Sequence, residues 1–379
     1  MEKQIKTIKR NKCVICDDVL GTVDFILENF PIYMGTTLDP IKQDKTYDQK
    51  WAICKKCGCI QLFELIPLNE LYSENHQKEV VGKLWEQHHN EFAEFILEGS
   101  PKSIIEIGGA HGFLSKIIRK NSEVLKYVFV EPDSNLNDEG VLHVKGFIED
   151  NLQIITKNDS IIHSHVLEHT YNPRQFLYLI SERMGIGAKM FISFPNIIEL
   201  IRTGGANSLN FEHTYFLTPV QIETLFKNYG FIVKRKTSFI KHSYFYEIEK
   251  ITEQMSTSTI QNILQESIRY IQMQSELRKF VFDTNQIMLN SSFPTFIFGA
   301  HVFSQNLLVL GLNASLIQGV IDNSPSKQNQ RLYGSELKVF NPSIIADCSQ
   351  VNVILKTTHY QSEIKEQLIS INKNVTIIE

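Results

Sequence analysis

From about residue 80 to the C-terminus, short apolar runs alternate with apolar positions at helical spacing. Residues 103–107, 127–130, 160–163, 189–194 and 230–234 read as strands separated by helical patterns. Such alternation predicts an α/β fold, a parallel sheet covered by helices. Residues 80–97 place Val81, Leu84, Trp85, His88, Phe92 and Phe95 on one helical face, a lead-in helix to that sheet. Residues 251–282 read as one long amphipathic helix with Ile260, Ile263, Leu264, Ser267, Ile268 and Ile271 on its apolar stripe. A second strand-and-helix series, at 295–298, 316–321 and 351–354, predicts a smaller α/β unit. Before residue 75 only short strand-like pieces occur, at 51–53 and 60–63, set among cysteines. The expected organisation is therefore 1–75, 76–250 and 251–379.

Length and composition agree with several units. The chain has 379 residues, 42% of them hydrophobic, which favours roughly two to three domains with substantial cores. No apolar run approaches the roughly 20 residues of a membrane span, so no membrane partner is expected. The net charge of −4 and the lack of interleaved basic and aromatic residues argue against nucleic acid as a partner. The N-terminal residues lack the apolar stretch of a secretory signal, so a cytoplasmic location is expected. Nothing in the pattern specifies an oligomer.

The cysteines change the picture of the first unit. Cys13 and Cys16 form one Cys-x-x-Cys pair, and Cys54 and Cys57 form another. Two such hairpins can present four thiolates tetrahedrally to one zinc ion, and Gly58 directly after the second leaves the backbone free to turn. Disulfide pairing is the rival reading, disfavoured in a reducing compartment. Four thiolates close the coordination sphere, so the expected zinc is structural rather than catalytic. Cys59 reads as a neighbour outside the set.

The turn after the first strand of the second unit carries the other chemical signal. Residues 103–107 run into Gly108-Gly109-Ala110-His111-Gly112 and then into a helical pattern. Glycines at a strand-to-helix turn let a ligand approach the backbone closely. The next strand ends at Glu131-Pro132, which puts an acid at a strand tip where it can accept hydrogen bonds from a ribose diol.

Glu106-x-Gly108-x-Ala110-x-Gly112 resembles the first motif, E-x-G-x-G-x-G, of the class I S-adenosylmethionine-dependent methyltransferases, with Ala110 in place of the middle glycine. The resemblance implies a Rossmann-like methyltransferase domain in which Glu106, Gly108, Gly109, Ala110, Gly112, Glu131 and Pro132 surround the cofactor. It also puts Phe147 and Ile148 at the adenine. The stretch from Ser164 to His169, with Asn172-Pro173 after it, looks like the fourth-strand motif of that family and implies that His165 and Leu167 line the pocket. Glu168 and His169 there suit either a structural role at the turn or cofactor contact.

Both ends of the chain resemble a narrower group, the sugar C-methyltransferases. Cys54 to Leu62, followed by Leu71-Tyr72, is similar to the N-terminal zinc-binding region of that group. Residues 320–328, from Val320 through Asp322 to Gln328, then Tyr333-Gly334-Ser335, look like its C-terminal α/β domain. This resemblance implies a nucleotide-linked deoxy- or ketosugar as substrate, with zinc and S-adenosylmethionine as cofactors. Asn210-Phe211-Glu212-His213 matches its sugar-pocket element, which implies His213 as the base that forms an enolate, assisted by Glu212. Asn210, Tyr72 and His76 fall where that group tends to carry tyrosines, and Gly299-Ala300-His301 lacks its G-A-x-x-K-G lysine. These departures leave O- or N-methylation, or cofactor binding without catalysis, as alternatives.

Overall fold

The computed structural model describes residues 6–72, 83–121, 124–132, 139–203, 209–252, 255–256, 258–260, 262–357 and 361–379. Its largest sheet has seven strands, in the spatial order Phe231–Phe239, Ser243–Lys250, Lys189–Pro195, Ser160–Ser164, Ser103–Ile107, Lys126–Glu131 and Leu142–Lys145. The five strands from Lys189–Pro195 to Leu142–Lys145 run parallel; Ser243–Lys250 runs against them, and the edge strand Phe231–Phe239, antiparallel to it, runs with the five. The expected Rossmann-like methyltransferase sheet is present. Its central strands are apolar without alternation because helices cover both faces: Ile104, Ile105, Val128, Phe129, Ile161, Ile162, Phe191 and Ile192 are all buried.

Two strands of this sheet do not show in the hydrophobic pattern. Leu142–Lys145 is an outer strand with no buried residue, so it carries no apolar run. Ser243–Lys250 contains Glu247, Glu249 and Lys250, which read as surface charges. In the fold, Glu247 is held by Lys189 Nζ at 2.8 Å and by Arg235, so charge pairing takes the place of apolar burial there.

The cysteine-bearing segment forms an antiparallel sheet in the order Tyr215–Phe216, Ile60–Leu62, Thr46–Ile53, Phe25–Pro31. One of its four strands therefore comes from beyond residue 200. Trp51 stacks between Phe25 and Phe216, with ring centres 6.0 and 5.2 Å away. Both cysteine hairpins share a core with the large sheet: Cys13, Ile15, Cys54 and Cys57 pack with Ile105, Val128, Leu217 and Ile222.

The long helix is Leu264–Leu289, shorter at its start and longer at its end than the pattern predicts. Its buried positions include Ser267, Tyr270, Met273, Gln274, Leu277 and Val281, while Leu264, Ile268 and Ile271 of the expected stripe are more than a third exposed. Tyr270, Met273 and Leu277 pack against Trp51 and the C-terminal unit, and this fixes the helix rotation. The C-terminal unit is a parallel five-stranded sheet, ordered Val339–Phe340, Gly319–Ile321, Thr295–Phe298, Val351–Ile354, Val375–Ile378. It is tied to the cysteine-bearing segment by a bidentate pair, Arg331 Nη1 and Nη2 to Asp44 at 2.6 and 2.5 Å.

Candidate active site

Gly108 follows the strand Ser103–Ile107 with φ +69°, a conformation that favours glycine, and a Cβ there would lie 2.5 Å from Val166 Cγ2. A Cβ on Gly109 would meet Phe129 at 2.3 Å and Glu106 Oε1 at 2.4 Å. These two glycines are therefore demanded by what packs beneath and beside the loop. Ala110, at φ +47°, donates its N–H to Glu131 Oε2 at 3.1 Å, so the strand-tip acid braces the loop. Gly112, at φ +67°, precedes the helix Phe113–Lys120.

Above this loop is a cavity of about 720 Å³, within the usual range for a small-molecule site. Glu106, Gly108, Gly109, Ala110, Glu131 and Pro132 line one wall, with Phe147, Ile148 and Glu149 beyond them. His165, Val166, Leu68, Tyr72, Trp85, His89, His169, Tyr171 and Glu212 also line it. Nine of the expected cofactor residues thus meet at one cavity. Two do not line it. Gly112 starts the helix behind the loop, and Leu167 is fully buried in the core beneath.

Part of this lining collects titratable groups. Tyr72 Oη lies 3.4 Å from His169 Nδ1, and Glu212 Oε2 lies 3.5 Å from the same nitrogen. The His213 ring stands edge-on to His169 with centres 5.0 Å apart, behind the cavity wall rather than in it. Asn210 is buried, and its Oδ1 accepts the backbone N–H groups of Glu212 and His213, each at 2.8 Å. It shapes the turn that presents both residues. His76 lies outside the described residues. His169 emerges as the hub of this group; in the sequence only its place after Glu168 hinted at it, Trp85 read simply as part of a helix face, and His89 carried no signal.

Burial sets the charges here. It pushes His169 down to about 4, aided by His213, and His165 down to about 3, so both imidazoles are neutral at physiological pH. Burial lifts the carboxyls of Glu106 and Glu168 to about 7, and the hydrogen bond from Tyr127 partly opposes this at Glu106. Tyr72 is pushed up by burial and then by Glu212. Neutral imidazoles beside a carboxylate and a phenol can accept and pass protons.

The loop carrying these groups is positioned from the cysteine side. It continues into the strand Tyr215–Phe216, which pairs with Ile60–Leu62 directly after the second cysteine hairpin. Arg10 is buried and donates to Thr214 O at 2.6 Å and to Tyr171 O at 2.8 Å, so it joins the N-terminal segment to two cavity loops. Burial lowers its guanidinium to about 10, still charged at neutral pH.

The four cysteine sulfurs gather within 4.8 Å of one another. Cys13 Sγ and Cys57 Sγ are 3.6 Å apart, and Cys16 Sγ and Cys54 Sγ 3.5 Å. A zinc–sulfur bond of about 2.3 Å in a tetrahedron separates sulfurs by about 3.8 Å, so the set fits such an ion. Each hairpin turns the same way: the residue after its second cysteine, Asp17 or Gly58, has positive φ, and its N–H bonds the carbonyl of the first cysteine. Cys59 is buried outside the set.

Residues 76–235 match a family model described as a methyltransferase domain. That match spans a little under half of the chain. Among solved structures it is similar to an O-methyltransferase family protein from Burkholderia thailandensis, at 11% identity and TM-score 0.39, covering 45% of this chain and 57% of that one. It is also similar to N,N-8-amino-8-demethyl-D-riboflavin dimethyltransferase from Streptomyces davawensis, at 21% identity and TM-score 0.37, covering 43% and 55%. A third, 1,6-didemethyltoxoflavin-N1-methyltransferase from Burkholderia thailandensis, is 13% identical with TM-score 0.36, covering 45% and 82%. The match to the first two spans little more than half of their lengths. No curated protein matched the sequence. Among the described residues no helix is long and apolar enough to cross a membrane.

Proposed function

We propose that this chain is an S-adenosylmethionine-dependent methyltransferase that methylates carbon in a nucleotide-linked ketosugar. The observation that carries the reading is one cavity lined both by the Gly108–Ala110 loop with Glu131 and by Tyr72, His169 and Glu212. The loop and Glu131 would hold the amino-acid and ribose portions of the cofactor, and Phe147 and Ile148 its adenine. When bound there, the cofactor supplies an electrophilic methyl group.

Tyr72, His169 and Glu212, with His213 behind His169, meet the other half of the chemistry. Carbon becomes nucleophilic when a base takes a proton alpha to a ketone and the resulting enolate is stabilised. His213, acting from behind His169, which lines the cavity, and with its turn fixed by Asn210, is our choice for that base. Glu212 orients the pair and Tyr72 donates toward the developing oxyanion. The four cysteines would hold a structural zinc whose hairpin sets the register of Ile60–Leu62 against Tyr215–Phe216. Calorimetry with S-adenosylmethionine tests the cofactor half: binding is expected, and its absence together with that of the demethylated product would overturn the reading.

O-methylation on the same sugar is the second reading, favoured by Asn210. A buried amide engaged with two backbone N–H groups supplies no phenol to an enolate. Exchange of the alpha proton with deuterated solvent separates the two, since only C-methylation needs enolisation.

A further inference from the structure

Beside the cavity three histidines from distant parts of the chain face one another. His88 comes from the helix Lys83–Glu98, His165 follows the strand Ser160–Ser164, and His242 precedes the strand Ser243–Lys250. One nitrogen from each lies within 4.8 Å of the others. The ring centres are 5.4 Å apart for His88–His165, 5.4 Å for His165–His242 and 5.9 Å for His88–His242. An ion bonded at about 2.1 Å to one nitrogen of each ring would lie about 3.2 Å from each ring centre, so a tetrahedral site needs centres about 5.2 Å apart. The triangle is within a few tenths of an ångström of that on two sides.

We infer that His88, His165 and His242 form a second metal site, for a zinc-type divalent ion, separate from the four cysteines. Three imidazoles this close cannot all be protonated, and the neutral ring is the ligating form. An outer partner of the kind that orients a metal-bound histidine is in place at His88, whose Nε2 lies 2.7 Å from Ser193 Oγ, and the Glu168 carboxyl stands 3.0 Å from His165 Nδ1 without a hydrogen bond to it. His88 is fully buried, yet its Nδ1 has no hydrogen-bond partner, a cost that an ion would remove. Ser243 Oγ, 2.9 Å from His165 Nε2 and 2.6 Å from His242 Nδ1, is the oxygen placed to serve as fourth donor or to be displaced. Trp85 covers the set, its ring centre 5.0, 4.9 and 5.0 Å from those of His88, His165 and His242. His165 adopts φ +53°, a strained conformation that turns it into the group. An all-imidazole donor set suits zinc, nickel or copper rather than magnesium or calcium. The inference does not depend on the methyl-transfer reading.

The test is metal titration of the full chain, with Zn²⁺ for stoichiometry and Co²⁺ as the spectroscopic probe. The wild type is expected to hold two equivalents, of which only one carries a thiolate-to-cobalt band. His242→Ala is expected to hold one, with that band intact. A wild type that holds a single equivalent bearing the thiolate band overturns the proposal, and so does a folded His242→Ala protein that still holds two. The wild-type titration decides the matter even if the variant does not fold.

Discussion

Gly109 shows how little room the cofactor loop leaves. Its missing Cβ is filled by Phe129 and Glu106, and that of Gly108 by Val166. Gly108→Val is therefore expected to weaken S-adenosylmethionine by at least about tenfold, about 1.4 kcal/mol, when measured by calorimetry on a folded variant. Glu131→Ala removes both the brace on Ala110 and the acid facing the cavity. A charge-assisted hydrogen bond contributes about 1.5–3 kcal/mol, so the same measurement should again show roughly tenfold loss or more. His213→Ala is expected to cut turnover about 10²–10⁴-fold, the usual contribution of a general base, with cofactor affinity retained. Unchanged turnover would remove His213 from the role. At this scale the loop side of the candidate cavity was legible in the sequence, because a glycine turn and a strand-tip acid are local signals. The acid–base wall was only half legible. Glu212 and His213 stand in one motif, but His169 reaches them across 43 residues of sequence, and no spacing marks that contact.

The two cysteine hairpins, the strand Ile60–Leu62 and the strand Tyr215–Phe216 behave as one element built from two distant stretches of chain. The Cys-x-x-Cys spacing announced the hairpins. The strand they recruit carries only two residues, too short for any periodicity to reveal. Gly58 is the tightest point of this element. It has φ +75°, and a Cβ there would lie 2.7 Å from the carbonyl carbon of Ile263 at the start of the long helix. Gly58→Ala is expected to destabilise the protein by about 2 kcal/mol or more, checked by denaturant unfolding. Because the same hairpin carries Cys54 and Cys57, chelation should lower the melting temperature further than it does cofactor affinity. The long helix teaches a related lesson. Its apolar residues occur all round, so periodicity alone chose Ile268 and Ile271, while the core chose Tyr270, Met273 and Leu277.

Among the described residues, buried histidines outnumber buried acids with raised pKa. His89 and His169 are held at about 4, His163 and His165 at about 3, and His88 lower still, all chiefly by burial. As pH falls below 6.5 the unfolded chain takes up protons on these rings and the folded chain does not, so acid favours unfolding, by at most roughly 3 kcal/mol for a ring such as His169. Glu106 and Glu168, raised to about 7, act in the opposite direction between about pH 4.5 and 7. With more rings than carboxyls, the melting temperature is expected to rise from pH 4.5 to 6.5 and then level off, and a maximum near pH 4.5 would contradict these environments. The order of the three units was plain from the alternation of strand and helix patterns. Their fusion was not, because Trp51, Tyr270 and the C-terminal Ile297 and Val320 share one core only in three dimensions. The glycine loop, His165 and His169 line one cavity, and the central claim is that this one ligand-binding space serves both halves of a methyl transfer to carbon. The most direct test is mass spectrometry and NMR of the product formed from methyl-labelled S-adenosylmethionine and a panel of nucleotide-linked ketosugars. The account predicts the label on a carbon alpha to the ketone, lost in His213→Ala. Label on oxygen or nitrogen, or no transfer from protein that binds the cofactor, would contradict it.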